Sequence, residues 1–122
     1  MKSALVLALG SVLALSAPAV AAAPGGQLTL TKAADLGTPH SVTLDCDPVG
    51  GTHPQAKAAC ATLTEVNGDI DAIKPIDIAC PDVYKPETVT AVGVWNGRRI
   101  DFSHRYTNSC HTGRATHEVF AF

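Results

Sequence analysis

The chain has 122 residues, of which 16% are charged, and its formal net charge is −2 at pH 7. Nucleic-acid-binding proteins usually carry a basic patch or stripe. The lysines and arginines here are scattered singly, except for Arg98-Arg99. Charge and its distribution therefore argue against nucleic acid and against anionic membrane surfaces as partners.

The amino-terminal segment has the pattern of a secretory signal peptide. Lys2 precedes an uncharged, mainly apolar run that is interrupted by Pro18 and ends in alanines. A transmembrane helix would need about 20 consecutive apolar residues, so this interrupted run favours a cleaved signal instead. We expect cleavage after Ala21 or Ala22, with residues 1–21 as the signal peptide and a secreted product.

Residues 22–122 are expected to form one domain, because this length is common for a single domain with a thin core. All four cysteines lie in this exported part, where an oxidising environment favours disulfides. None has the Cys-x-x-Cys spacing of a zinc or redox site. Four cysteines allow three pairings, and the sequence pattern leaves the choice open among Cys46, Cys60, Cys80 and Cys110.

The first predicted elements are two strands and a helix. Residues 27–31 and 41–46 alternate polar and apolar side chains, which is typical of half-buried strands. A turn-rich loop follows at 48–54. Residues 57–66 are rich in alanine, place apolar side chains at helical spacing and are followed by the stop signal Asn67-Gly68, so they predict a helix.

A proline-rich segment, residues 69–86, follows the predicted helix. Its prolines exclude a long helix and argue against a central strand. The segment is therefore predicted to be an exposed, stiff loop containing Pro75, Pro81 and Pro86.

A β-hairpin is predicted for residues 88–95 and 98–106, which are joined by the strong turn signal Asn96-Gly97. A two-residue turn fixes the register of the strands. Small residues then oppose large ones on the face that also carries Trp95. The expected pairs are Gly93 with Ile100, Ala91 with Phe102, and Val89 with His104.

The other face of this hairpin is half apolar, since Val92 and Val94 lie beside Arg99 and Asp101. Such a surface favours cover, and because the opposite face is assigned to the helix, we expect a homodimer built on this one. Residues 119–122 resemble a last strand tied into the sheet. The elements together predict an α+β fold in which a helix layer packs on an antiparallel sheet.

No arrangement of polar residues indicates an enzyme, a cofactor or a metal site. The histidines lack the His-Glu-x-x-His spacing, and neither a Gly-x-Ser-x-Gly elbow nor a glycine-rich phosphate loop occurs. Asp45 with Asp47, and Asp69 with Asp71, offer two carboxylates each, whereas calcium takes six or more oxygens. Asp69 is instead expected to cap a short helical turn that runs through Ile73.

By composition alone, residues 79–86 form a proline-rich surface loop with a cysteine anchor, and their function stays open. Five short motifs in this order make the chain similar to the Streptomyces subtilisin inhibitor family. They are Gly51-Thr52-His53-Pro54, Ala59-Cys60-Ala61, Cys80-Pro81-Asp82-Val83-Tyr84, Gly93-Val94-Trp95 and Val119-Phe120-Ala121-Phe122.

The resemblance implies a two-layer α+β domain with a five-stranded antiparallel sheet and two helices. It further implies a homodimer formed through the sheets. The protein would be a secreted inhibitor of serine endopeptidases and not an enzyme. The implied disulfides join Cys46 to Cys60 and Cys80 to Cys110.

The resemblance also places a reactive bond between Asp82 at the P1 position and Val83 at P1′. Asn108 matches a family residue whose side chain supports the loop from beneath. The implied protease-binding loop consists of Ala79, Cys80, Pro81, Asp82, Val83 and Tyr84.

Asp82 departs from the family pattern, in which Met, Lys or another residue suited to subtilisin or trypsin is common at P1. A carboxylate in an apolar S1 pocket is a desolvated, unpaired charge, and the acidic pocket of trypsin repels it. The expected target is therefore an acid-specific serine protease, with weaker binding to subtilisin. A non-inhibitory binding module on the same fold is the alternative, and an enzyme ranks third.

Overall fold

The computed structural model describes residues 10–16 and 23–122. The predicted cleavage sites after Ala21 and Ala22, and most of the predicted signal peptide, lie outside this part of the chain. Within the described residues, no helix has the length and apolar character needed to cross a membrane.

The described chain forms one five-stranded antiparallel sheet, in which neighbouring strands pair in the order β3-β2-β1-β4-β5. Both strands predicted near the amino terminus are present within β1 and β2. The loop predicted at residues 48–54 contains the short edge strand β3. The strand bounds are Gly26–Ala34 for β1, His40–Cys46 for β2, Gly50–Gly51 for β3, Glu87–Trp95 for β4 and Arg98–Tyr106 for β5.

The β4–β5 hairpin has the predicted turn and register. Asn96 and Gly97 both have positive φ angles, 47° and 81°, as a tight two-residue hairpin turn requires. Glycine is also required at position 93 in β4, because a Cβ atom there would lie 1.9 Å from the carbonyl oxygen of Gln27 on β1. The observed pairs are Gly93 with Ile100, Ala91 with Phe102, and Val89 with His104.

Helix α1, Ala56–Glu65, covers the apolar face of the sheet and confirms the predicted helix. Cys60 in this helix is bridged to Cys46 at the end of β2. The imidazole of His53 is buried just before α1, where Nε2 donates to the carbonyl of Val119 at 2.9 Å and Nδ1 accepts from the amide of Gln55. The carboxyl-terminal segment is thereby fixed against the start of the helix.

The last residues do not form the strand predicted at 119–122. The amide of Val119 donates a hydrogen bond to the carbonyl of Thr116, and the amide of Ala121 donates one to the carbonyl of Glu118. The backbone therefore forms tight turns here. Val119 and Phe120 are buried among the core side chains. The apolar pattern of this segment therefore reflects packing over the sheet face and not pairing within the sheet.

A 3₁₀ turn, Ile70–Ala72, stands where a short turn after Asp69 was predicted, but the predicted cap is wrong. The Asp69 side chain makes no capping hydrogen bond, and the turn closes through its own backbone, with the Ala72 amide donating to the Asp69 carbonyl. Ile70 and Ile73 anchor the turn in the core. Apolar burial thus replaces the expected cap.

Candidate functional site

The predicted stiff loop is present between the 3₁₀ turn and β4. Residues 74–86 have no regular secondary structure, and most of them are exposed. Ile73 at one end and Pro86 at the other are buried. Asp82, Val83 and Tyr84 lie exposed between these two buried ends, so a surface segment is fixed to the protein on both sides.

A disulfide holds the middle of this loop against a second helix, α2, Ser109–Thr116. Cys80 is bridged to Cys110 across a Cα–Cα distance of 5.7 Å. Cys110 lies in the first turn of α2, so the crosslink joins the loop to a helical backbone. With the bridge between Cys46 and Cys60, the structure has the pairing that the family resemblance implies.

The side chain of Asn108 lies directly beneath the loop and is only 6% exposed. Its Nδ2 group donates to the carbonyl oxygens of Pro81 and Val83 at 3.0 and 2.8 Å. Its Oδ1 atom accepts from the amide of His111 at 3.1 Å and thereby caps α2. Because the cap fixes the amide oxygen, both N–H groups of the same amide point toward the loop.

The arm of the loop that precedes Cys80 is attached to the carboxyl-terminal end of α2. The amide of Ile76 donates to the carbonyl of Arg114 at 2.9 Å. The Nε2 group of His117 donates to the carbonyl of Lys74 at 2.8 Å. These contacts hold the arm against the helix.

The arm that follows Val83 is attached to the sheet. The amide of Lys85 donates to the carbonyl of Thr107 at 3.0 Å, and Pro86 accepts from the amide of Asp35 at 3.2 Å. The Arg105 guanidinium binds the Asp35 carboxylate and lies 3.5 Å from the Tyr84 hydroxyl. These hydrogen bonds, with the nearby negative charge of Asp35, raise the pKa of Arg105 above its usual value.

Helix α2 is itself anchored to the sheet by a buried polar contact. The Thr112 hydroxyl donates to the Glu87 carboxylate at 2.6 Å, and both residues are buried. Glu87 is the first residue of β4, so this contact joins the strand that follows the loop to α2.

The local sequence pattern did not locate α2 or its backbone contacts with the loop, although the family resemblance implied a second helix. The helix contains Gly113 and two buried threonines, Thr112 and Thr116, which obscure a helical pattern. Asn108-Ser109 was the available signal, because asparagine is a preferred amino-terminal cap. The backbone contacts of Arg114 and Thr107 leave no signature in the side-chain sequence.

The candidate metal pairs are not joined by further ligands. Across residues 10–16 and 23–122, no group of three or more histidine, cysteine or acidic side chains is placed to hold a metal ion. Asp45 and Asp47, like Asp69 and Asp71, therefore remain pairs of carboxylates. The candidate functional site is therefore the exposed loop at residues 74–86, which is held in place by Asn108, the Cys80–Cys110 bridge and α2.

The family model described as subtilisin inhibitor-like matches residues 23–108. The chain belongs to this family. Subtilisin inhibitor-like protein 4 of Streptomyces lavendulae is 44% identical over 114 residues, covering 88% of this chain and 97% of that protein. Subtilisin inhibitor-like protein 1 of Streptomyces cacaoi is 42% identical over 98 residues, covering 77% and 89%.

A solved structure also resembles this subtilisin inhibitor-like chain. It is Streptomyces caespitosus sermetstatin in complex with Bacillus licheniformis subtilisin, with a TM-score of 0.63 and 32% identity. The similarity covers 79% of this chain and 97% of sermetstatin. The predicted family and fold class are confirmed, and the family is one of protease inhibitors and not of enzymes.

Proposed function

We propose that the protein is a secreted inhibitor of serine endopeptidases that presents Asp82-Val83 as a substrate-like reactive bond. The observation that carries this proposal is the hydrogen bonding of Asn108 to the carbonyls of Pro81 and Val83, one on each side of Asp82. The P1 side chain is left exposed while the backbone around it is held. The protease would contact the loop residues Ala79, Cys80, Pro81, Asp82, Val83 and Tyr84.

Pre-organisation explains how such a loop gains affinity. A protease binds its substrate as an extended segment, and a free peptide loses conformational entropy on taking that form. In this protein the Cys80–Cys110 bridge and the Asn108 amide restrict the loop before binding. Pro81 also fixes its own φ angle beside the scissile bond.

The same contacts explain slow turnover. The protease serine oxygen forms an ester bond with the Asp82 carbonyl carbon, the bond to the Val83 nitrogen breaks, and the serine proton is transferred to the Val83 nitrogen, which becomes a free amine. That amine stays near the acyl group, because Asn108 holds the Val83 carbonyl and the Lys85 amide is bonded to Thr107. An effective molarity of about 10⁵ M or more for a well-placed group lets religation compete with hydrolysis.

Asp82 directs the choice of target. An ionised carboxylate in an apolar S1 pocket is desolvated without a partner, whereas cationic or histidine groups in S1 pair with it. The proposed target is therefore a glutamyl- or aspartyl-preferring serine protease. Subtilisin remains a weaker target, because it binds the neighbouring positions Ala79, Pro81 and Tyr84.

A titration against a panel of serine proteases tests the proposal. The panel contains subtilisin, trypsin and an acid-specific endopeptidase, each assayed with a small chromogenic substrate. We expect the lowest inhibition constant for the acid-specific enzyme, a higher one for subtilisin and no inhibition of trypsin. Absence of inhibition throughout the panel would favour the second candidate function, a non-inhibitory extracellular binding module, for which the acidic P1 residue is the motivating observation.

We further propose that the protein forms a homodimer through its sheets. Val92 and Val94 on β4 are about half exposed, and they lie on the sheet face opposite the core. An apolar surface in the middle of a sheet favours cover by another chain. Light scattering at micromolar concentration is expected to give the dimer mass, and a monomer mass would contradict this part of the proposal.

We also propose that the protein is exported from the cell. The four cysteines are all bridged, as expected for a protein that folds in an oxidising compartment. Sequencing of the amino terminus of the protein recovered from culture medium is expected to begin at Ala22 or Ala23. A mature protein that retains Met1 would contradict it.

A further inference from the structure

Exposed large apolar side chains gather at the loop end of the sheet. Ile76, Ile78, Val83 and Tyr84 belong to the loop itself, and Tyr84 is 72% exposed. Leu36 is fully exposed at the tip of the turn between β1 and β2. Single exposed leucines are ordinary on protein surfaces. A functional role for Leu36 must therefore be argued from its position and its backbone conformation.

The turn that carries Leu36 is attached to the loop on the side that follows the reactive bond. The amide of its neighbour Asp35 donates to the Pro86 carbonyl at 3.2 Å. The Arg105 guanidinium connects the Asp35 carboxylate to the Tyr84 hydroxyl. The Arg105 side chain thus connects the residue next to Leu36 with Tyr84, the second residue after the reactive bond, so the turn and the loop lie at the same end of the sheet.

Leu36 occupies a backbone conformation that suits other residues better. The amide of Gly37 donates to the Ala34 carbonyl at 2.9 Å, which makes Leu36 the third residue of a tight turn, and its φ angle is 62°. Glycine and asparagine are preferred where a turn requires positive φ, and a leucine there is strained. Such strain persists most often at sites of function. Neither turn geometry nor core packing explains a leucine at this tip.

We propose that Leu36 is a second contact with the protease, packing on an apolar part of the enzyme rim beside the subsites that receive Val83 and Tyr84. This inference rests on the proposed inhibitory function. The partner surface is apolar, because a fully exposed leucine has no polar group to offer. The contact adds affinity without entering the active-site cleft, so it acts on any target whose rim is apolar at this place.

The test compares Leu36→Asn with a matched control, Val49→Asn. Val49 is also an exposed aliphatic residue in a turn, but it follows β2 at the opposite end of the sheet. Inhibition constants are measured against the protease that the wild-type protein inhibits most strongly in the panel. We expect Leu36→Asn to raise the inhibition constant about 10-fold, as loss of one buried leucine predicts. Val49→Asn should leave it within 2-fold of wild type, about the scatter of surface substitutions.

Thermal unfolding separates a contact residue from a structural one. Asparagine tolerates positive φ, so Leu36→Asn should keep or raise the melting temperature while it weakens inhibition. Leu36→Met should retain inhibition near the wild-type level, because it preserves an apolar side chain of similar volume.

Each remaining outcome overturns the inference in a recognisable way. Equal inhibition by Leu36→Asn and wild type removes the contact but leaves the proposed function standing. Equal weakening by Leu36→Asn and Val49→Asn shows a nonspecific effect. A wild-type protein that inhibits no protease overturns the proposed function and the contact with it.

Discussion

The two connections that flank β4 are held by different means. The turn that leaves this strand, Asn96-Gly97, has two residues whose own backbone preferences fit the positive φ angles that the turn needs. The loop that enters it is mostly exposed and lacks secondary structure. That loop is held by groups distant in sequence, namely the Asn108 amide, the Cys80–Cys110 bridge and the backbone of α2.

This difference separates stability from inhibition. A locally encoded turn contributes to folding whether or not any partner is present. A loop held from outside leaves its own side chains free to meet a partner while its backbone stays in one form. Changes in the loop or its supports should therefore alter inhibition, and changes in the hairpin turn should alter only stability.

The largest expected effect follows substitution of the exposed P1 residue. Asp82→Met should lower the inhibition constant for subtilisin about 100-fold, because it removes a desolvated, unpaired carboxylate from an apolar pocket. Asp82→Lys should create inhibition of trypsin by pairing with its acidic pocket. Both variants should lose inhibition of the acid-specific enzyme. Unchanged constants for all three enzymes would place the P1 position elsewhere.

Removal of each disulfide in turn separates support of the loop from general stabilisation of the fold. The Cys80–Cys110 bridge closes 30 residues and the Cys46–Cys60 bridge closes 14. In the chain-entropy model they stabilise the fold by about 3.6 and about 3.0 kcal/mol. Double serine variants should therefore lose similar stability in denaturant unfolding. Only the loss of Cys80–Cys110 should speed cleavage of the reactive bond, so equally slow cleavage in both variants would refute the bracing role of that bridge.

Asn108→Asp and Asn108→Ala separate the two roles of the Asn108 side chain, which are to cap α2 and to bind the loop carbonyls. Aspartate keeps an oxygen to cap α2 through the His111 amide but has no N–H groups for the loop carbonyls. It should weaken inhibition roughly 10- to 100-fold, because each lost hydrogen bond is worth about 1 kcal/mol. Alanine should lose about 1 kcal/mol more stability, because the cap also disappears. Inhibition by Asn108→Asp at the wild-type level would argue against the brace.

The smallest effect is expected for Gly97→Ala in the hairpin turn. No atom lies within 4 Å of the added Cβ, but the φ angle of 81° is strained for alanine. We expect a loss of about 1 kcal/mol in the free energy of unfolding and an unchanged inhibition constant. A weakened inhibitor would show that the two connections are coupled through β4.

The same contrast explains what the sequence could predict. The hairpin register followed from Asn96-Gly97 alone, and α1 followed from its spacing of apolar residues and its stop signal. The loop was recognisable as stiff and exposed from its prolines. Its supports were not derivable from local pattern, because Asn108 meets Pro81 only after the sheet and α2 have brought them together. The role of Asn108 was available only through the family resemblance.

The strand predicted at residues 119–122 was wrong for a related reason. Val119 and Phe120 have the apolar character of a strand, yet whether such residues pair in a sheet or pack across it depends on the space left by other elements. Here that space is the core face near His53, whose ring bonds to the Val119 carbonyl.

Mass spectrometry after incubation with a catalytic amount of the inhibited protease tests the central claim most directly. Our account predicts one slow cut, with a new amino terminus at Val83. Because Cys80 and Cys110 lie on opposite sides of this bond, the two pieces should stay joined until the disulfide is reduced. Rapid degradation, or a first cut away from Asp82-Val83, would contradict the account.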